Sequence, residues 1–246
     1  MDLKNLQQNW DRFGKTDPLW AILTTEEGKD NNWDESAFFE TGTRAVKRLV
    51  KRANRLLPAL KNQQALDFGC GVGRLTQPLA DHFEQAHGID IAPSMIELAR
   101  QKNTKGDRCK YHLNERNDLR QFEDNSMDLV LSLITLQHMR PEYAKNYIKE
   151  FIRITRPGGI MIFQIPSNPD KGTELYHHPL TKFVRKAQTS VGLKSGTEPV
   201  MEMYWIPLEE MVTFFNQQPV IIRQISFDQS VGEGWKSYLY YIEVKK

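Results

Sequence analysis

Cysteine is scarce in this chain. Only Cys70 and Cys109 occur among 246 residues, which excludes a disulfide framework and a cysteine zinc site, and makes a reducing cytosol the expected home. Long apolar runs are missing too. The longest, Leu129 to Leu136, is broken by Ser132 and Thr135 and falls far below the ~20 residues that span a bilayer, so no membrane is expected. Nor does the start, with Asp2, Lys4 and Asn5, carry a secretory apolar region. Excess charge of one sign is absent. A net charge of +2 argues against a generally basic surface for nucleic acid. Repeats, low-complexity tracts, a Ser-His-Asp order and paired-carboxylate motifs are likewise missing. What is present, 39% hydrophobic and 26% charged residues, is the composition of an ordinary globular chain, of a length that suits one α/β domain with appendages.

The informative stretch runs from Ala65 to Asp90. A short apolar run ends at Asp67, glycine follows at 69, 71 and 73, and Leu75, Leu79 and Phe83 recur at i, i+4, i+8, which spells strand, tight turn and helix. Glycine suits such a turn because a backbone without Cβ takes φ > 0 and lets a ligand lie against it. The spacing G-x-G-x-G differs from the dinucleotide fingerprint G-x-G-x-x-G, whose third glycine packs helix on strand beneath a pyrophosphate. Asp90 lies 90 − 73 = 17 residues past the last glycine, where a carboxylate can accept both ribose hydroxyls. An adenosine-like ligand without a pyrophosphate is expected.

These residues carry a resemblance. Asp67-Phe68-Gly69-Cys70-Gly71-Val72-Gly73-Arg74, with Gly88 to Arg100, resembles the class I S-adenosylmethionine-dependent methyltransferases. Asn125 to Val130 with Leu136 to Met139, and Arg156 to Ile160, resemble the same family in the right order, so the likeness covers roughly residues 38 to 166. It is of the small-molecule type. The resemblance implies an α/β fold: a Rossmann-like, doubly wound, seven-stranded sheet, mostly parallel with an antiparallel last strand. It implies S-adenosyl-L-methionine as cofactor and S-adenosyl-L-homocysteine as product. The implied cofactor-binding set is Asp67, Gly69, Gly71, Gly73, Asp90, Ile91, Met95, Asn114, Asp118, Leu119 and Leu133. Within it Asp67 helps place the ammonium, the glycines pass beside the methionine portion, and Asp90 holds the ribose. Two positions depart from the pattern. Ala92 stands where a serine often caps the next helix, and Asn114 is near the place of an aspartate that holds the adenine amine.

Flanking segments are read from periodicity and punctuation. Leu3, Leu6, Trp10 and Phe13 form one face of a helix over 3–13, and Asp17-Pro18 opens a second apolar segment. With Trp20 and Trp33 nearby, this arm (1–43) must pack on something, either as core or as a lid. The methyltransferase domain is expected over 44–246. Arg44, Lys47, Arg48, Lys51, Arg52 and Arg55 share one face of a helix over 44–55, which suits a solvated face or an anionic partner. Phe39 is a candidate cover for the cofactor. Strands are expected at 109–113, 128–134 and 160–165, the last ended by Pro166, and helices at 93–102 and 141–154. An irregular stretch, 167–207, is expected as a substrate cover inserted after the fifth strand. A helix at 208–215 and strands at 220–227 and 236–244 close the chain.

The expected function is transfer of a methyl group to an O or N atom of a small molecule by in-line displacement. The donor is already activated, so the protein mainly orients. His138, after the fourth strand, is the candidate catalytic base for a hydroxyl acceptor, with His177 and His178 as others. Lys182, Arg185 and Lys186 in the cover make an acceptor with a carboxylate or phosphate plausible. The alternatives are a non-catalytic partner protein that binds the same cofactor, and an NAD-dependent oxidoreductase.

Overall fold

A computed structural model of the protein describes residues 2–169, 199–232 and 234–245. Seven strands form one sheet in the order β3-β2-β1-β4-β5-β7-β6. They are β1 (Gln64–Phe68), β2 (Gln85–Asp90), β3 (Cys109–Leu113), β4 (Met127–Ser132), β5 (Thr155–Pro169), β6 (Val220–Asp228) and β7 (Trp235–Val244). β1 to β5 pair in parallel, and β7 runs antiparallel between β5 and β6, as the resemblance implied. The order reverses at β1, between β2 and β4. That reversal opens the crevice at the carboxyl ends of the strands where α/β sheets bind ligands.

Helices cover both faces. They are α1 (Leu3–Thr16), α2 (Pro18–Ile22), α3 (Glu35–Leu56), α4 (Thr76–Leu79), α5 (Pro93–Gln101), α6 (Pro141–Ile154) and α7 (Leu208–Asn216). β4 is buried along its whole length, which is why its sequence runs apolar instead of alternating. One face of the sheet packs Phe68, Val130, Met161 and Phe163 against Ile148 and Phe151 of α6 and Met211 and Phe215 of α7. The other packs Leu129, Leu131, Ile160 and Ile162 against Val46, Leu49, Val50 and Ala53 of α3. The basic side of α3 lines a second, shallow groove with Gln224, Phe227 and Tyr241 of the terminal hairpin.

Several boundaries differ from the sequence reading, each for a physical reason. α3 begins at Glu35, capped by the Asp34 side chain accepting from the Ala37 amide at 2.7 Å, so the expected division at 43/44 falls inside one continuous helix. The helix after the glycine loop is one turn, and past it the amides of Ala80, Asp81 and His82 bond carbonyls three residues back instead of four. Pro166 does not end β5. The ladder to β7 shifts register between Pro166 and Asn168, and the Pro166 carbonyl accepts from the Ile206 amide at 3.0 Å. The Arg156–Gly159 turn lies within β5, between Thr155 and Ile160, which pair with Met127 and Leu129.

Candidate functional site

The floor of the crevice is built by backbone. Gly69, Gly71 and Gly73 take φ of +76°, +52° and +86°, values that an L side chain resists. The amides of Gly69 and Cys70 donate to the Ile89 carbonyl at 2.8 and 3.0 Å, tying the loop to β2. At the end of β2 the Asp90 carboxylate accepts from the Gly71 amide at 2.9 Å and the Ala92 amide at 2.9 Å. Burial raises its pKa, and those amides oppose the rise. Each oxygen keeps a lone pair for a further donor. From β3, the Asn114 amide donates to the Asp90 carbonyl at 2.9 Å, and its side chain donates to the carbonyls of Arg116 and Asp118 at 3.2 and 3.1 Å. Asn114 thus holds its own loop against the crevice.

Gly69, Gly71, Asp90, Ile91, Met95, Asn114, Leu133 and His138, all named from the sequence as candidate site residues, line one cavity. It encloses about 890 Å³ of space free of atoms, its open mouth and adjoining solvent included.

The roof comes from the N-terminal arm. Leu3, Leu6 and Trp10 of α1 and Ala21 and Ile22 of α2 line the same cavity. Ile22 lies so close over the loop that a Cβ on Gly71 would be 2.5 Å from its Cδ1. α1 is fixed by side chains. Asp11 accepts from the Ser94 amide at 2.9 Å, and its carbonyl accepts from the Ser94 hydroxyl at 2.9 Å. This carboxylate supplies from another helix the cap that Ala92 cannot give to α5. Burial pushes the Asp11 carboxyl up, but Lys15 and the Ser94 donors outweigh it and leave the pKa below the ordinary value. Asn9 exchanges two hydrogen bonds with the Val200 backbone, both at 2.8 Å.

His138 joins roof and floor. Its ring meets Trp10 edge-on at 4.9 Å, and its Nδ1 lies 2.9 Å from the Glu202 carbonyl, so Nδ1 carries the hydrogen. Nε2 then accepts from the Gln137 side-chain amide at 3.3 Å. Burial lowers its pKa to about 4, so the ring is neutral at pH 7.

Four members of the expected cofactor set do not line the cavity, and neither does Phe39. Asp67 lies beneath the loop and accepts from the Thr76 hydroxyl at 2.7 Å; burial raises its pKa to about 7. Gly73 packs on Tyr111, whose hydroxyl would meet a Cβ at 2.4 Å. The Asp118 carboxylate pairs with Arg120 at 2.5 Å. Leu119 is fully buried in the core, its amide donating to Glu150 at 2.7 Å. Phe39 packs edge-on against Phe38 at 5.4 Å. His177, His178, Lys182, Arg185 and Lys186 lie outside the described residues.

Sequence reasoning missed Trp10, Ile22, Arg74 and Ile134 as lining residues. Arg74 was visible as the residue next to the third glycine. Ile134 takes φ +57°, rare for a β-branched residue; its amide donates to the Gln164 side chain at 3.1 Å. No sequence signal marks that conformation. Among the described residues no group of three or more metal-ligating side chains occurs, and no helix is long and apolar enough to cross a membrane.

A switch-point crevice floored by a glycine loop and an acid after β2 defines a Rossmann-like domain built for an adenosine-containing ligand. Residues 66–163 match the family model described as "Methyltransferase domain". Among curated relatives, phosphoethanolamine N-methyltransferase 2 of Caenorhabditis elegans is 33% identical over 46% of this chain and 25% of its own length. Sterol 4-C-methyltransferase of the same organism is 31% identical over 68% of this chain and 51% of its own length. The chain thus spans a quarter to a half of these relatives. A solved structure of magnesium protoporphyrin IX methyltransferase from Synechocystis PCC 6803, with bound S-adenosylmethionine, matches with a TM-score of 0.63 at 17% identity, over 100% of this chain and 98% of that one. That likeness shows a shared fold. The chain belongs to the class I S-adenosylmethionine-dependent methyltransferases, a family whose cofactor is S-adenosylmethionine.

Proposed function

We propose that the protein binds S-adenosylmethionine in this crevice and transfers its methyl group to an O or N atom of a small molecule. The observation that carries this is the Asp90 carboxylate, aimed by the Gly71 and Ala92 amides at the cavity that the glycine loop floors. Asp90 accepts the ribose hydroxyls, Gly69 and Gly71 leave room for the methionine portion, and Ile91, Met95 and Asn114 flank the adenine. Asp67, buried under the loop, acts through Thr76 and the loop's shape. When bound, the cofactor supplies a methyl group already activated on a sulfonium. The chain's part is to hold the acceptor in line and exclude water. Leu3, Leu6, Trp10 and Ile22 provide that exclusion.

His138 is the candidate to take a proton from a hydroxyl acceptor. Its neutral form carries a lone pair on Nε2, which the Gln137 amide must release before an acceptor's proton can be taken, and a pKa of about 4 makes it a weak base. An amine that reacts in its neutral form needs no such base. The relatives' names include N-, C- and O-methyltransferases, so the atom methylated here is not read from kinship. We place acceptor choice in the arm and residues 167–207, because Asn9, Gln137 and His138 all bond residues 200–204 beside the cavity.

Calorimetric titration with S-adenosylhomocysteine tests the cofactor site. Asp90→Ala should weaken binding by about 1.5 to 3 kcal/mol, the value of hydrogen bonds to a charged group. Unchanged affinity in a folded variant would sink the assignment. Incubation of metabolite extracts with a labelled methyl donor tests turnover: binding without any labelled product would favour the non-catalytic partner reading.

A further inference from the structure

The net charge of +2 conceals one local excess. On α3, Arg44, Lys47, Arg48, Lys51, Arg52 and Arg55 are all exposed, because the opposite stripe, Val46, Leu49, Val50 and Ala53, is buried against the sheet. Acids to match them are few. Arg44 lies 3.9 Å from Glu40, and Arg52 Nε donates to the Gln224 side chain at 2.6 Å. Lys47, Arg48, Lys51 and Arg55 have no ion pair among the described residues. These cations form one wall of the groove whose floor is the terminal hairpin, with Gln224, Ser226 and Asp228 of β6 beside Leu239 and Tyr241 of β7. Asp228 is the one acid lining it among the described residues, and its carboxylate already accepts from the Ser230 amide at 3.0 Å. The groove shares no lining residue with the crevice.

The spacing of the row narrows the occupant. Arg44, Arg48, Lys51 and Arg55 follow one another at i+4, i+3 and i+4, which sets a cation every ~4.5 to 6 Å over ~16 Å of helix axis. A stacked nucleic-acid strand carries a phosphate about every 3.4 Å, so the row matches about five nucleotides. An extended acidic peptide turns only alternate side chains to one side, about every 6.6 to 7 Å, and presents about half as many charges. Shape disfavours a membrane: the charges line a groove, and the apolar stripe of α3 is used in the core and cannot enter lipid. Four of the six cations are arginines, whose planar forks suit phosphate oxygens. Phe227, 58% exposed, also lines the groove and offers a base an aromatic face. We propose that the groove between α3 and the terminal hairpin binds a single strand of nucleic acid, its phosphates along α3 and a base against Phe227. The strand is a partner held outside the crevice, and the proposal is independent of the cofactor reading.

Fluorescence anisotropy with a labelled short oligouridylate tests it. Log affinity should fall with log salt at a slope of about −3, the value for four phosphates of a single strand. Arg48→Gln combined with Lys51→Gln should weaken binding about tenfold or more and reduce that slope by about 1.4. Lys110→Gln combined with Lys149→Gln, which removes exposed cations of β3 and α6, should change both little. Phe227→Ala should cost about fivefold or more at an unchanged slope. Thermal midpoints equal to wild type report that the variants are folded, and competition on the wild type needs no variant. No binding at low salt would make the row a solvated face, and equal losses from the two charge pairs would make the attraction general to the molecule. Competition as strong from duplex RNA, inorganic polyphosphate, an oligoglutamate of equal charge or phosphatidylserine vesicles would give the groove to another partner. Each of these results overturns the proposal.

Discussion

The floor and the roof of the crevice are made in different ways. The floor is backbone: three glycines at positive φ, amides bonded to the Ile89 carbonyl, and parallel ladders on both sides of β1. The roof is side chains: Asp11 on Ser94, Asn9 on Val200, Trp10 on His138, with Leu6 and Phe13 buried below. A floor of this kind tolerates no Cβ and keeps its shape without a ligand. A roof held by a few polar contacts and apolar packing can open at modest cost, as entry of a ligand requires. The same division separates what a general cofactor platform needs from what an individual acceptor needs.

The largest effect that sharpens this contrast is expected from Gly73→Val. Positive φ and a clash with Tyr111 should together cost about 3 to 5 kcal/mol, read as a fall in the denaturant midpoint of the whole domain. A loss below ~1 kcal/mol would show that the loop yields, and the floor would not be rigid. Next comes the joint between the two regions. His138 has an ordinary pKa of 6.5 lowered by burial to about 4, so the folded state refuses a proton that the unfolded chain takes. Stability should therefore fall as pH drops from 6.5 toward 4, by about 3 kcal/mol for this one group. His87, lowered to about 4 by burial and by His112 and Lys110, adds in the same direction. His138→Gln should flatten that acid slope by one proton's worth; an unchanged slope from pH 4 to 7 would remove His138 from the account.

A smaller effect is expected in the roof itself. Asp11→Ala removes the cap of α5 and should cost about 1 to 2 kcal/mol, with faster amide exchange in α1 and the first turn of α5 and little change in β1 or β4. Exchange that rises evenly through the sheet would mean that roof and floor open as one. The smallest belongs to a glycine outside the crevice. Gly158 has φ +75° with nothing within 4 Å of its Cβ position, so Gly158→Ala should cost only about 1 kcal/mol of backbone strain. A cost equal to that of Gly73→Val would show that φ alone, and not Tyr111, decides the floor.

The sequence by itself determined the sheet half of the molecule. Strand lengths, the G-x-G-x-G turn and Asp90 are local signals, since periodicity and turn chemistry act within a few residues. They were enough to read seven strands, the antiparallel last one through the family resemblance, and eight of the cavity's residues. Tertiary structure decided the rest. Ala92 reads as an uncapped helix start, and only the fold brings Asp11, 83 residues from Ser94 in sequence, to cap that helix. Asp67 faces Thr76 beneath the loop because a strand sends successive side chains to opposite sides, while Gly73, Asp118 and Leu119, in loops, lie against Tyr111, Arg120 and the core. Trp10, Ile22 and Arg74 reach the cavity through packing between distant segments. Burial, which leaves His138 neutral and holds Arg74 against Thr41 and the Phe38 ring, exists only once those segments have closed around them.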